Sequence, residues 1–399
     1  MPDLITKRNI PTSWSIKRFK YCAQICNGGE YSDIEVEEGG YPVIGSGGEF
    51  ARASKFSYYG KSVLLGRKGT VDKPLFVDGA FWCVDTMFYT KIKDFMYEKY
   101  LYYCALCFPF DYYVTSTALP SMTQRDLGSQ EIAVPSRKEQ KAIADFLDKE
   151  WAQIDSIAAD LGKQIELLQQ YKRSLITETV TKGLDKSVPI KDSGVEWIGE
   201  IPEHWRLKRL KYIAKLKTGT TPPGNEGINY DENGINWFTP SDFLPNMQLD
   251  TSEKYIDRET ICYANIQTYP RGSVLLVAIG ATVGKIGISK NNAYSNQQIT
   301  AVIPQHISGN YLLYYLASKS PYIKDNALYT TLPIINNSYL QNITIVVPPT
   351  TEQEKIVEFL NRKCSIIDEL IEDKNKLLLR LQQHKKSLIY EVVTGKKEV

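Results

Sequence analysis

The sequence predicts an α+β protein built twice. Two similar globular α/β domains are separated by two long antiparallel helices that form a coiled-coil spacer, and the halves are related by a pseudo-two-fold internal duplication. Three observations predict this. Segments of the first half return in the same order in the second. Each half closes on about 45 residues almost free of helix breakers. Those closing runs place apolar residues at alternating four- and three-residue steps, the seam of a coiled coil.

The duplication is read directly. IPTSWSIKRFKYCAQICNG from Ile10 returns as IPEHWRLKRLKYIAKLKTG from Ile201, an offset of 191. Pro11, Trp14, Lys17, Arg18, Lys20, Tyr21, Ala23 and Gly28 coincide with Pro202, Trp205, Lys208, Arg209, Lys211, Tyr212, Ala214 and Gly219. SVLL from Ser62 returns from Ser273, an offset of 211. Leu119, Pro120, Pro135, Gln140, Ile143 and Phe146 return as Leu332, Pro333, Pro348, Gln353, Ile356 and Phe359, an offset of 213. The growing offset puts the extra residues of the second half mostly between Gly219 and Ser273.

Within each half the front part is mixed. SVLL, EIAVP, SVLLVAI and ITIVVP are short apolar runs that read as strands, and YEKYLYYCALCF and GNYLLYYLAS read as amphipathic helices. The back part is a long helix entered after proline with a capping hydroxyl, at Pro135–Ser136 and at Pro349–Thr350. In the second copy Pro348 and Pro349 both precede the helix, and either Thr350 or Thr351 can cap it. The seam is Ile154, Ala158, Leu161, Ile165, Leu168 and Leu175 in the first copy, and Ile367, Ile371, Leu378, Leu381, Leu388 and Val392 in the second. Lys374 stands where the first copy has Leu161. Lys172 and Lys385 are a matched polar pair that can fix register. The expected organisation is a first domain at 1–135, a helix at 136–182, a linker at 183–200, a second domain at 201–349 and a helix at 350–395.

At 1.5 Å per residue each helix is a rod of roughly 65 Å. Its apolar stripe needs a partner, and the other copy supplies one. Two similar heads on an antiparallel spacer share the two-fold symmetry of duplex DNA, whose half-sites recur on one side about every 34 Å. Because the heads differ in sequence, the half-sites differ as well.

Composition sets limits. Of 399 residues, 48 are Lys or Arg and 46 Asp or Glu, so any nucleic-acid affinity comes from local basic patches rather than net charge. The start has no signal-peptide run, and the most apolar stretch, Ser273 to Ile288, carries Lys285 and is too short to span a bilayer. A cytosolic protein that does not engage membranes, with seven reduced cysteines, is expected.

The duplicated I-P-x-x-W-x-x-K-R-x-K start, the VP…EQ…I…FL entry to each helix, the LQQ-x-K-x-S-L-I tail and the junction SGVEWIGEIPEHW together resemble the specificity subunit of type I restriction–modification systems. The resemblance covers nearly the whole chain. It implies two target-recognition domains, each reading one half of a bipartite, asymmetric double-stranded DNA site. It implies a spacer that sets the gap and docks two modification (adenine methyltransferase) subunits, with restriction (ATP-dependent translocase/endonuclease) subunits added. No cofactor is expected on this chain; S-adenosylmethionine and ATP belong to those partners.

Candidate DNA contacts fall on turns that follow strands. GRKGTVDKP offers Arg67, Lys68, Thr70 and Lys73, and GATVGK offers Thr282 and Lys285. Glycine lets backbone approach a duplex, and Arg or Lys suits guanine or phosphate. SNQQ supplies Asn296 and Gln297, and YTTLPIINN supplies Thr330, Thr331 and Asn336, types that suit adenine edges and phosphates. TPSD, Thr239 to Asp242, is a further polar stretch. The basic run from Arg206 ends in Lys217, Thr218 and Thr220. It reads either as a phosphate contact or as a solvated amphipathic helix with Leu207, Leu210, Ile213 and Leu216 inward. For each of these loops the plain alternative is ordinary solvated surface.

No catalytic residue is assigned. GATVGKI lacks the spacing and hydroxyl of a phosphate loop. The PP pairs, TPPG and VPPT, lack the amide or acid of an amino-methylation motif. Glu139–Lys141 and Glu372–Lys374 are nuclease-like triplets on the long helices and read as solvated faces. Cys104 and Cys107, in an aromatic helix, read as core rather than as metal ligands, and no metal site is expected. The competing function is a non-catalytic protein–protein scaffold with a coiled-coil spacer. A third, an enzyme with divergent motifs, would need methyl transfer by the isolated chain.

Overall fold

The computed structural model describes residues 10–113, 120–329 and 332–399. The chain divides into two compact units, Met1–Gly162 with Asn375–Val399, and Lys163–Lys374. Each unit therefore contains one head and a part of both long helices.

In the first unit a six-stranded sheet runs, in spatial order, Ala23–Asn27, Met87–Ile92, Tyr58–Gly66, Leu75–Cys83, Tyr41–Gly45 and Gly48–Ala53. The apolar run SVLL sits inside Tyr58–Gly66, and its side chains alternate between two cores. Val63 and Leu65 join the cluster built on Phe19, Phe88, Tyr100 and Leu101, while Leu64 joins Val43, Phe81 and Met87 on the other face. Helix Glu98–Leu106 covers the first face. Ser15–Arg18 pairs antiparallel with Glu131–Val134, which leads into the first long helix.

The second unit repeats this plan with five strands: Ala214–Thr218, Ile299–Pro304, Val274–Val277, Ile286–Ser289 and Gln248–Leu249. The matching run alternates in the same way, Val274 and Leu276 toward one cluster, Leu275 and Val277 toward another. Arg206–Arg209 pairs with Thr344–Val347 as its counterpart does. The extra residues supply three strands, Ile228–Asn229, Lys254–Ile256 and Ile235–Phe238, of a second, four-stranded sheet that Tyr294–Ser295 completes.

The run from Arg206 is not an amphipathic helix. It is a strand, a 3-10 turn at Leu210–Tyr212 and a second strand, Ala214–Thr218. Leu207, Leu210, Ile213 and Leu216 do turn inward or lie half-buried. The turn resets the two-residue alternation of the flanking strands, so their inward residues fall three apart and imitate a helix.

The long helices span Arg137–Lys182 and Thr350–Val393. Within each unit they run antiparallel. In the first, Lys385 Nζ lies 2.6 Å from Asp155 Oδ1 and the Lys397 ammonium sits over the Phe146 ring. In the second, Lys172 Nζ lies 2.6 Å from Asp368 Oδ2 and Lys374 Nζ 2.6 Å from Gln164 Oε1. Ile154, Leu161, Ile367, Leu388 and Val392 of the seam are buried. The matched lysines thus meet matched aspartates, 155 and 368 being 213 apart.

Each head grips the start of its own helix and the end of the other. Gln140 Oε1 accepts from the Tyr97 N–H at 2.7 Å and its Nε2 donates to the Pro135 carbonyl at 3.0 Å. Gln353 repeats this with the Ser308 N–H and the Pro348 carbonyl, both at 2.9 Å. The buried Tyr100 hydroxyl reaches the carbonyls of Ala133 and Val393, and the Tyr311 hydroxyl those of Val346 and Val180. Gly395, at φ +70°, ends the second helix against Pro11 and Trp14, and Gly183, at φ +76°, ends the first against Trp205. A side chain at either glycine meets both a ring and a strained backbone.

The linker joins the second unit. Ile190–Asp192 pairs with Glu200–Pro202, and Trp197 stacks on Tyr322 at 5.0 Å. Lys319, buried, donates to the Trp197 carbonyl at 3.1 Å, and desolvation holds its ammonium below the usual lysine range. No helix among the described residues is long and apolar enough to cross a membrane.

Candidate nucleic-acid interface

In the second unit four stretches converge at one end of the five-stranded sheet. Strand Ala214–Thr218 pairs with Ile299–Pro304, putting Thr218 opposite Thr300. Gly219 follows where a Cβ would lie 2.0 Å from the Asn296 carbonyl oxygen, so only glycine fits. The Gly219 N–H donates to the Ile299 carbonyl at 2.9 Å and the Thr220 N–H to Ser295 at 3.1 Å. Asn296 folds its Nδ2 onto Gln298 Oε1 at 3.0 Å, and the Thr221 hydroxyl donates to Gln297 Oε1. The Gln298 carbonyl takes the Ala278 N–H, Ile335 N–H donates to the Ala278 carbonyl, and the Gly280 N–H donates to the Pro333 carbonyl. Gly280 holds φ +110° in this crossing, a conformation that favours glycine.

Asn337 bridges the cluster. Its Nδ2 donates to Thr218 Oγ1 at 2.9 Å and its Oδ1 accepts from Thr300 Oγ1 at 3.1 Å. Lys217, Thr218, Thr220, Asn296, Gln297 and Asn336 are thus brought to one edge. Asn336, exposed, also caps helix Asn337–Asn342, its side-chain oxygen accepting from the Tyr339 N–H at 2.7 Å, so that oxygen serves the fold. Lys217 Nζ rests on Gln267 Oε1 at 3.0 Å. Thr282 and Lys285 are exposed on the adjoining turn after Val274–Val277. Thr330 and Thr331 lie outside the described residues. Between this edge and the extra sheet opens a cleft of about 330 Å³, with Asn296, Gln297 and Gln298 on one wall and Asn229, Tyr230 and Lys254 on the other. Thr239 and Asp242, from the TPSD stretch, bond each other around a 3-10 turn and act as a cap.

The first unit has the same frame with different side chains. A Cβ on Gly28 would lie 1.8 Å from the Val84 carbonyl oxygen, as at Gly219. Asn27 Oδ1 accepts from Gln124 Nε2 at 2.9 Å, the counterpart of Thr218 and Asn337. Thr123 caps helix Gln124–Ser129 where the second unit has Asn336. The turn from Gly66 doubles back so tightly that a Cβ there would lie 2.4 Å from the Thr70 carbonyl oxygen. The Arg67 and Lys68 N–H groups both donate to the Thr86 carbonyl, and the Gly69 N–H to Pro120. The Arg67 guanidinium donates to the Asp85 carbonyl at 3.3 Å at the surface and lies 5.9 Å from the Phe88 ring centroid. Lys68 and Lys73 are exposed, and Thr70 is half-buried.

Asn27, Gln124 and Thr300 were not singled out in the sequence, and Asn337 only as the end of the YTTLPIINN stretch. The signal for the first pair was the repeat itself, since Asn27 and Gln124 align with Thr218 and Asn337 at offsets of 191 and 213. Cys104 packs in the first unit's core, and burial raises its thiol well above the usual range; burial pushes the Cys107 thiol up to about 12. No group of three or more His, Cys, Asp or Glu able to hold a metal occurs among the described residues.

Two copies of one α/β head, each closing on parts of two long helices and presenting a polar turn-lined edge, define a two-headed protein built by duplication. Residues 11–167 and 202–380 each match the family "Type I restriction modification DNA specificity domain", and the chain belongs to that family. It is 32% identical over 185 residues to the type I restriction enzyme MjaIX specificity subunit of Methanocaldococcus jannaschii, covering 45% of this chain and 41% of that one. It is 28% identical over 240 residues to the EcoR124I/EcoR124II specificity subunit of Escherichia coli, covering 58% and 54%. These matches thus span about half the length of either relative. Its fold is similar, at TM-score 0.75 and 16% identity over 97% of this chain and 99% of the other, to a chain solved in work on complex assembly and conformational transition of the type I R-M system. It is also similar to the HsdS subunit from Thermoanaerobacter tengcongensis, at TM-score 0.51 and 15% identity over 97% and 98%.

Proposed function

We propose that the chain is the non-catalytic DNA-binding specificity subunit of a type I restriction–modification complex, working in the cytosol. It reads a bipartite, asymmetric duplex site, one half-site per target-recognition domain, with domains at 1–135 and 201–349 and helices at 136–182 and 350–395 joined by a linker at 183–200. The carrying observation is the pair of edges just described: one backbone frame, two different sets of reading side chains. In the first head Arg67, Lys68, Thr70 and Lys73 contact DNA. In the second, Lys217, Thr218, Thr220, Thr282, Lys285, Asn296, Gln297, Thr330, Thr331 and Asn336 do so.

The long helices set the gap between half-sites and dock two modification subunits, with restriction subunits joining the complex. Exposed apolar side chains on the helices, Ile157 at 48%, Leu167 at 54%, Ile366 at 48% and Leu370 at 45%, support docking, because apolar surface of that kind favours a protein partner. S-adenosylmethionine and ATP act on those partners.

The test uses the chain with its co-purifying subunits and a duplex series carrying the site found by methylation-aware sequencing of host cells with and without the gene. Retardation of one split sequence, lost when the gap changes by a single base pair, is the expected result. Equal binding at every gap length, or salt-insensitive or absent DNA binding, would instead favour a protein–protein scaffold.

A further inference from the structure

The two heads diverge at most exposed positions of their opening segments. Thr12 faces solvent where the second head has Glu203, Ser13 where it has His204, Ser15 where it has Arg206, Gln24 where it has Lys215 and Asn27 where it has Thr218. Against this background one exposed cluster is unchanged. Arg18, Lys20 and Tyr21 return as Arg209, Lys211 and Tyr212, exposed in both copies. Tyr21 is 60% exposed and Tyr212 65%, so packing does not account for either ring. The local arrangement is also the same. Lys20 Nζ lies 5.1 Å from the Tyr21 ring centroid, and Lys211 Nζ 5.3 Å from that of Tyr212. In the second head Arg209 and Lys211 each lie 3.3 Å from Asn342 Oδ1.

An exposed cluster repeated in two otherwise unlike heads fits something that is the same at both. Bases differ between two half-sites; phosphates do not. We infer that Arg18, Lys20 and Tyr21, and again Arg209, Lys211 and Tyr212, form a sequence-independent clamp on the duplex phosphate backbone, one per head. The inference rests on the DNA-reading function proposed above. The chemistry fits: guanidinium, ammonium and phenol all donate to phosphate oxygens. The position fits as well. Tyr21 and Tyr212 each stand two residues before the strands, Ala23–Asn27 and Ala214–Thr218, that end in the reading edge. Helix Gln124–Ser129 begins at the residue bonded to Asn27, and its Gly128 lies against Lys20. Those four residues of helix advance about 6 Å, within the roughly 12 Å width of a major groove. Glu131 stands opposite Arg18 in its strand ladder where Thr344 stands opposite Arg209, so the second clamp carries the larger positive charge.

The experiment compares the full chain, with its co-purifying subunits, against R18A/K20A/Y21A and R209A/K211A/Y212A. The probes are a random-sequence duplex and a duplex bearing the site, titrated between about 50 and 200 mM KCl. Each edit should weaken both probes alike, more for the second head. Each should lower the slope of log affinity against log salt by about 2, near 0.9 for each phosphate released. The sequence methylated in cells should not change. Should a triple variant melt early, K20Q/K211Q removes two exposed ammoniums and should still lower the slope by nearly 2. A wild-type slope in the edited chain overturns the clamp, as does an altered target sequence. So does loss of a co-purifying protein at wild-type slope, which would make the patch a protein dock. Failure of the unedited chain to bind its site would instead remove the DNA-reading function itself.

Discussion

The two heads are alike where they hold the helices and unlike where they face outward. Gln140 and Gln353, Tyr100 and Tyr311, and the aspartate-bound Lys172 and Lys385 repeat one set of hydrogen bonds. At the outer edge the first head turns on Arg67 and Lys68, whereas the second adds a whole sheet and lines a cleft with Asn296, Gln297 and Gln298. The comparison teaches a division of labour. A repeated joint lets the outer surface change without changing the bonds that hold the helices, so a new outer surface can be carried on an old frame. If that is right, equivalent joint substitutions cost the same in both units.

The largest effect is expected at the glutamines. Gln140 is 1% exposed and Gln353 3%, and each satisfies a backbone N–H and a carbonyl at the helix entry. Leucine in either place fills the volume but leaves both groups buried and unpaired. Gln140→Leu and Gln353→Leu should each cost about 2–4 kcal/mol. Urea unfolding measures the loss. Hydrogen exchange should locate it at residues 95–97 with 135–140 in one variant, and at 308 with 348–353 in the other. A neutral result in one unit only would break the equivalence.

The tyrosines should come next. Tyr100→Phe and Tyr311→Phe keep the ring and remove a hydroxyl that lies against two carbonyls, one of them at the end of the opposite long helix. A cost of about 1–2 kcal/mol is expected in each. Faster amide exchange near residue 393 for the first, and near 180 for the second, would show that the hydroxyl closes the far helix end. Unchanged exchange there would reduce both tyrosines to core packing.

Most of this frame was legible because its signals are local. Helix and strand periods and the prolines before the helices lie within short windows, and the repeat is read by aligning one half of the chain with the other. The strand–turn–strand from Arg206 was hidden because Leu207, Leu210, Ile213 and Leu216 copy a helical spacing across a 3-10 turn. The edge was half-legible. Asn296 and Gln297 stood out as polar residues in a turn. Asn27 and Gln124 are 97 positions apart, and Thr218 and Asn337 119 apart, so only the folded chain makes them partners. The capping role of Asn336 was equally invisible, since it depends on where the next helix starts.

The smallest effect sharpens the comparison most, because here the repeats are matched in residue but not in surroundings. Lys172 meets Asp368 with side-chain exposures of 13% and 38%, whereas Lys385 meets Asp155 at 19% and 62%. Lys385 also sits 3.9 Å from the Trp151 ring centroid, a position that Cys364 occupies in the second unit. Water screens the more exposed aspartate better. A double-mutant cycle with Lys172→Met and Asp368→Asn should therefore give a coupling of about 0.5–1 kcal/mol, and the cycle on Lys385 and Asp155 less. Single replacement of Lys385 should still destabilise beyond that coupling, since it removes the ring contact too. Raising salt should erase the Lys385 coupling first. Equal couplings in the two cycles would mean that exposure does not set the strength of these bridges.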